Sequence, residues 1–213
     1  MRVNLTARAA SAEQRRSRTR TRLLDAAVRI IAEMGRETAS VEDLVVAAGV
    51  ARGTFYNYFP TVDALIEALS YRLIGTMGET LDVIRQSPSL PATRVAGLAH
   101  CLLGASRSDP AFAWVVSRLV GSGARRQPEL EDRFDALFAE AVACGQFRTC
   151  DTLAARTLAF GAVRMAFRDL TAGDAPPAHG REVVALMLCA FGLTPGEADE
   201  TSREGEALAA GDR

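Results

Sequence analysis

From Val41 the apolar positions recur at Leu44, Val45 and Ala48, the three- and four-residue spacing of a helix with one buried face. Ser40, with Asp43 three residues on, gives that helix an S-x-x-D start close to a capping box. Gly49 ends it, because a glycine just past the last periodic residue can take the left-handed conformation that a sharp turn needs. Val50 then turns inward, and Arg52 to Phe59 forms a second short helix with Phe55 and Phe59 on its inner face and Tyr58 at the edge. Two helices joined by a tight glycine turn predict a helix-turn-helix, whose second helix fits a DNA major groove.

The same periodicity organises the rest of the chain. Leu23, Leu24, Ala27, Ile30, Ile31 and Met34 mark a preceding helix closed by Gly35, which completes a three-helix domain over residues 15–60. Residues 1–14 have little apolar content and are expected to be a disordered arm. Thr61 starts a long linking helix, 61–86, with Leu65, Ile66, Leu69, Leu73, Met77, Leu81 and Ile84 on one side. Gly75 and Gly78 interrupt it, each costing roughly 1 kcal/mol relative to Ala, and are where it could bend. Five further helices are expected at about 91–107, 110–121, 128–145, 151–172 and 179–193. No stretch alternates with period two over a strand's length, so the fold class is all-α with about nine helices. The expected second domain is 61–195, with an acidic, frayed tail over 196–213.

Charge alters the picture only when it is divided along the chain. The net charge is −1, yet residues 1–36 hold nine Arg against three acids, a local +6. From Pro195 onward there are six acids against two Arg, a local −4. All 25 basic residues are Arg. Arg15, Arg16, Arg18, Arg20 and Arg22 run directly into the helix-turn-helix, where phosphate contact is favoured over a merely solvated face. Hydrophobic content of 48% in 213 residues suffices for a sizeable core, and no apolar run reaches the ~18 residues of a membrane span. The cytoplasm is the default location. Cys101, Cys144, Cys150 and Cys189 lack a C-x-x-C spacing and read as small buried hydrophobes or free thiols.

The outward residues of the second hairpin helix are Arg52, Gly53, Thr54, Tyr56 and Asn57, which offer a guanidinium, hydroxyls and an amide to phosphates or base edges. No carboxylate lies between Ala51 and Thr61. On the hairpin pattern alone, a helical hairpin with ordinary polar residues outward is the other reading. The run Leu44, Val45, Ala48, Gly49, Val50, Gly53, Thr54, Phe55, Tyr56, Tyr58 and Phe59 resembles the tetracycline-repressor (TetR) family over about the first third of the chain. That resemblance implies an all-helical homodimer that binds double-stranded DNA at a palindromic operator, represses transcription and is released by a small-molecule effector. The chain departs from the family at Ala51, where a Ser or Thr usually caps the recognition helix, and at Val62, where a phosphate-contacting Lys is usual. Candidate DNA contacts are Arg18, Arg20, Ser40, Arg52, Gly53, Thr54, Tyr56, Asn57, Tyr58 and Thr61. Arg52 and Asn57 are expected at base edges.

The second domain interleaves aromatic residues with Arg118 and Arg164, as ligand pockets in helical bundles do. Trp114 and Arg118, one turn apart, are the leading pocket wall, with Phe134, Phe138, Arg164 and Met165 beside them. Packing within the core is the plainer account of such aromatics. The last two helices look like a dimer interface: Leu158, Gly161, Ala162 and Met165 on one, Val183, Leu186, Met187, Ala190 and Phe191 on the other. No catalytic constellation, cofactor motif or metal-ligand spacing is present; His100 and His179 lie in different segments. Acids such as Glu129, Glu131 and Asp132 open a helix and suit its dipole. The reading is a DNA-binding regulator rather than an enzyme. Its alternative is a helical small-molecule-binding protein or enzyme whose hairpin serves only the fold.

Overall fold

The computed structural model describes residues 5–34, 40–108, 112–113, 115 and 128–211, with side chains over 10–30, 40–105, 112–113, 115 and 128–211. The chain is all-helical among these residues. The helices are α1 (Leu5–Met34), α2 (Val41–Ala48), α3 (Arg52–Tyr58), α4 (Val62–Thr76), α5 (Gly78–Gln86), α6 (Pro91–Ser108), α7 (Pro128–Ala143), α8 (Thr152–Ala172), α9 (His179–Phe191) and α10 (Pro195–Ala210). They fall into two compact units, Met1–Leu69 and Ser70–Arg213, so the division lies inside α4 rather than at residue 60.

In the first unit the helix-turn-helix follows its sequence signals closely. Ser40 accepts from the Asp43 amide while the Asp43 carboxylate takes the Ser40 N–H, a complete capping box. Gly49 closes α2 at φ 61°, and its N–H reaches the last carbonyls of that helix. Phe55 and Phe59 are buried with Leu23, Leu24, Ala27, Ile30, Leu44, Leu65, Ile66 and Leu69. Ile31 and Met34 lie in α1, but their side chains, and Gly35, are outside the described residues. The arm expected at 1–14 is instead helical from Leu5 onward. Ala, Arg, Glu and Gln are strong helix formers, so local propensity extends the helix although Ala10 to Arg18 are all exposed.

The second unit is built around α6. Nearly every residue from Ala92 to Cys101 is buried, the pattern of a helix covered on all sides. Helices α5, α7, α8, α9 and α10 pack on it. The 61–86 helix is two helices, broken at Met77 between Gly75 and Gly78. The helix expected at 110–121 lies outside the described residues except Phe112, Ala113 and Val115, which are helical and buried.

The tail expected to be frayed is α10. It starts at a second capping box, Thr194 with Glu197, and buries Ala198, Ser202 and Gly205 at i, i+4 and i+7. These small residues let it lie against α6 so closely that a Cβ on Gly205 would come within 2.5 Å of the Ala96 Cβ. Polar contacts pin the same face: Thr93 donates to Glu204 at 2.9 Å, and Ser202 donates to the Arg181 carbonyl at 3.0 Å. Because that donation uses the one hydroxyl proton, the 3.0 Å contact between Ser202 Oγ and His100 Nε2 requires an N–H on the imidazole nitrogen.

Candidate nucleic-acid interface and cavity

Helix α3 turns its apolar residues inward and leaves a polar face open. Arg52, Gly53, Tyr56 and Asn57 are exposed, and Thr54 and Tyr58 are half-buried. A Cβ at Gly53 would meet nothing within 4 Å, so the first unit's own packing does not call for glycine there. Ala51 starts α3 in extended conformation without a side-chain cap. Thr61 is exposed and its Oγ1 accepts the Ala64 N–H at 3.1 Å, which leaves the hydroxyl proton to donate outward. Ser40 donates its own hydroxyl to Asp43 at 2.6 Å, so its proton is spent within the cap. The Ser40 hydroxyl and amide hold the Asp43 carboxyl below its ordinary value of 3.8.

A carboxylate does stand against the reading helix, although none occurs within it. Glu42, on the first turn of α2, accepts from Arg52 Nη1 at 2.5 Å. The guanidinium also lies over the Tyr56 ring at 5.9 Å. A hydrogen bond with Tyr56 and the charge of Glu42 both raise the Arg52 pKa. Sequence reasoning misses Glu42 because its partner is ten positions away across the turn; its place beside Asp43, which alone serves the cap, is the available signal.

The arginines of α1 divide by role. Arg15, Arg16 and Arg18 are exposed. Arg20 sits over the Phe59 ring at 5.4 Å. Arg22, expected with the phosphate-facing run, instead donates to the Ala48 and Gly49 carbonyls at 2.7 and 3.2 Å, and Arg29 to the Ala47 carbonyl at 2.9 Å. Both satisfy orphan carbonyls at the α2 C-terminus, where the helix dipole favours a cation.

In the second unit, a cavity of about 400 Å³ opens among α4, α5, α6, α8, α9 and α10. Its walls include Met77, Thr80, His100, Cys101, Arg181 and Glu206. Arg181 donates to Glu206 at 2.7 Å, and burial pushes the Cys101 thiol up to about 11, so it stays protonated. None of the expected pocket residues among the described ones, Phe134, Phe138, Arg164 and Met165, lines it. Phe134 and Phe138 are buried in an aromatic cluster with Phe147 and Phe191, ring centroids 5.1 to 6.3 Å apart. They are core because they lie on the inner face of α7, as ordinary hydrophobic packing requires. Arg164 and Met165 are also away from the cavity walls. Trp114 and Arg118 are outside the described residues. The small wall residues Gly104, Ala105, Gly180, Ala209 and Ala210 carry no aromatic signature, which is why periodicity alone does not find this site.

The proposed interface helices separate cleanly by face. Leu158, Met165 and Leu186 are exposed, Leu186 to 70%, and Gly161 is open beside them. Ala162, Val183 and Ala190 are half-buried. Met187 and Phe191 are corrected to core, at 3% and 1% exposure. Each lies about 100° or more around α9 from Leu186, enough to point inward.

Residues 23–69 match the model of bacterial regulatory proteins of the tetR family. YvdT of Bacillus subtilis (strain 168), an uncharacterised HTH-type transcriptional regulator, is 44% identical over 64 residues, 30% of this chain and 31% of that protein. The chain thus matches about a third of that relative's length. The structure of RolR in complex with its ligand resorcinol superposes with a TM-score of 0.71 at 26% identity, covering 89% of this chain and 95% of RolR. That of the transcriptional regulator FadR from Bacillus subtilis in complex with stearoyl-CoA gives 0.61 at 20% identity, covering 81% and 97%, a likeness of fold. Residues 23–69 are thus similar to the tetR family, and the chain as a whole shares the fold of RolR and FadR.

Proposed function

We propose that the chain is a DNA-binding transcriptional regulator, not an enzyme, that acts in the cytoplasm as a homodimer on a palindromic operator. It represses, and a small molecule bound in the second unit releases it. The observation that carries the DNA reading is α3, with Phe55 and Phe59 buried and Arg52, Tyr56 and Asn57 open around a glycine that the fold does not require. The exposed Arg15, Arg16 and Arg18 supply phosphate contacts that Val62 cannot make. RolR, similar over most of this chain, has a resorcinol complex, which supports a small-molecule effector here. The 400 Å³ cavity is within the range of small-molecule sites, about 300–1,000 Å³. Among the described residues no helix is long and apolar enough to cross a membrane.

The face of Leu158, Gly161, Met165 and Leu186 supports pairing of two copies through α8 and α9. Selection of genomic fragments by the purified protein tests the function: a shared inverted repeat is expected, with binding that falls steeply as salt rises. Fragments without a common sequence would refute it. Leu186→Glu should convert a dimer to a monomer on sizing chromatography and weaken binding to the repeat. A variant that still elutes as a dimer removes that helix face from the interface.

A further inference from the structure

Glu42 lies in the first turn of α2, where its charge suits the helix dipole, but the dipole does not account for its pairing with Arg52 across the turn. Asp43, its neighbour in the first turn of α2, carries both arms of the capping box. The Glu42–Arg52 pair is 60% and 64% exposed, and such surface pairs contribute little to stability. A carboxylate on a surface meant for a polyanion is repelled by phosphate unless it is neutralised or has a donor of its own to meet. Arg52 neutralises it. The remaining question is what the pair faces.

The answer lies in the order of groups on a base-pair edge. In the major groove a G·C pair presents guanine N7 and O6, both acceptors, and then the cytosine N4 amino donor. A guanidinium linked side by side to a carboxylate presents the complementary order of donor, donor and acceptor. Arg52 uses Nη1 toward Glu42, and the carboxylate has a second oxygen, Oε2, outside that contact. An A·T pair alternates acceptor, donor and acceptor before its methyl group and does not match.

We propose that Glu42 and Arg52 together read one G·C pair in each half-operator, Arg52 on guanine and Glu42 on the cytosine amino group. This rests on the DNA-binding reading given above and adds to it a specificity-determining residue on α2. Glu42 therefore contributes to discrimination and not to affinity, since its charge opposes binding to DNA of any sequence.

The test is selection of operators from a randomised duplex library by the full-length protein, compared with Glu42→Ala, Glu42→Gln and Arg52→Ala. Wild type should hold a G·C pair at one position per half-site. Glu42→Ala and Arg52→Ala should both relax that same position, by roughly five- to a hundredfold in base preference. Glu42→Ala should also bind random duplex DNA at least as tightly as wild type. Glu42→Gln, which keeps a carbonyl acceptor, should retain part of the cytosine preference. If Glu42→Ala leaves base preference unchanged, or relaxes a different position from Arg52→Ala, the joint reading is overturned. If Glu42→Gln loses as much as Glu42→Ala, contact with cytosine is overturned. A wild-type protein that selects no sequence and is not retained by DNA at low salt would instead refute the DNA-binding function itself.

Discussion

The two ends of the chain have similar credentials and opposite fates. Both are poor in large apolar residues, composition predicts disorder for both, and both are helical: α1 from Leu5 and α10 to Ala210. The first part of α1 stands exposed from Ala10 to Arg18. Helix α10 instead lays a stripe of Ala198, Ser202 and Gly205 against α6. Apolar content does not separate them, but small-residue spacing does. At i, i+4 and i+7, side chains of no more than two heavy atoms let two backbones approach, and close packing then replaces bulk hydrophobic burial. The N-terminal stretch has Arg15, Arg16 and Arg18 at its exposed positions and no such stripe, and its charge suits a partner outside the chain.

The strongest way to break this contrast is at Gly205. A Cβ there meets the Ala96 Cβ at 2.5 Å and the backbone of Ala96 and Gly97 at 2.8 Å, atoms that cannot rotate away. Gly205→Leu should force α10 off α6 and destabilise the protein by about 3 kcal/mol or more. At roughly 2–4 °C per kcal/mol for a chain of this size, thermal unfolding should move down by about 6–12 °C. Gly196→Ala, in the same helix with nothing within 4 Å, is the control and should melt like wild type. Equal melting of the Gly205 variant would mean that α10 contributes nothing by docking.

At the other end, deletion through Arg18 should leave thermal stability unchanged, because among the described residues the buried positions of α1 begin at Leu23. It removes five arginines, at positions 2, 8, 15, 16 and 18. The salt dependence of binding to duplex DNA should flatten by roughly 0.9 in log–log slope for each phosphate that is no longer neutralised. An unaltered slope would make this end a solvated helix with no role at DNA.

These two ends also mark where the sequence is legible. In the first unit, signals are local: Ser40 with Asp43, Gly49 after α2, and Phe55 with Phe59 one turn apart each specify their own geometry. Glu42 escapes because its contact with Arg52 crosses the turn. In the second unit most helix positions follow from periodicity, but which helix faces inward is settled by neighbours. Met187 and Phe191 read as interface because Leu186 and Ala190 beside them are apolar too, and only burial in the folded unit, for Phe191 against Phe134 of α7, separates them. The cavity depends on α6, α9 and α10 meeting, a long-range condition that no single helix encodes.

The finest test of the contrast uses acid. Helix α10 opens with Thr194 and Glu197, whereas α1 has no acid in its first turn. The Thr194 hydroxyl and amide hold the Glu197 carboxyl below its ordinary value of 4.5, since both donate to the ionised form. A carboxyl whose pKa is lower in the folded state adds stability that is fully present above the unfolded value. That stability is lost as pH falls through the folded value. Wild type should therefore melt slightly above Glu197→Gln at pH 6, and the gap should close below about pH 4.5 as the carboxylate is protonated. The Asp43 box is common to both proteins, so its own acid loss cancels in the difference. A gap that persists at pH 3 would show that the variant acts through packing rather than charge, and α10 would then owe its start to Pro195 and the Thr194 hydroxyl alone.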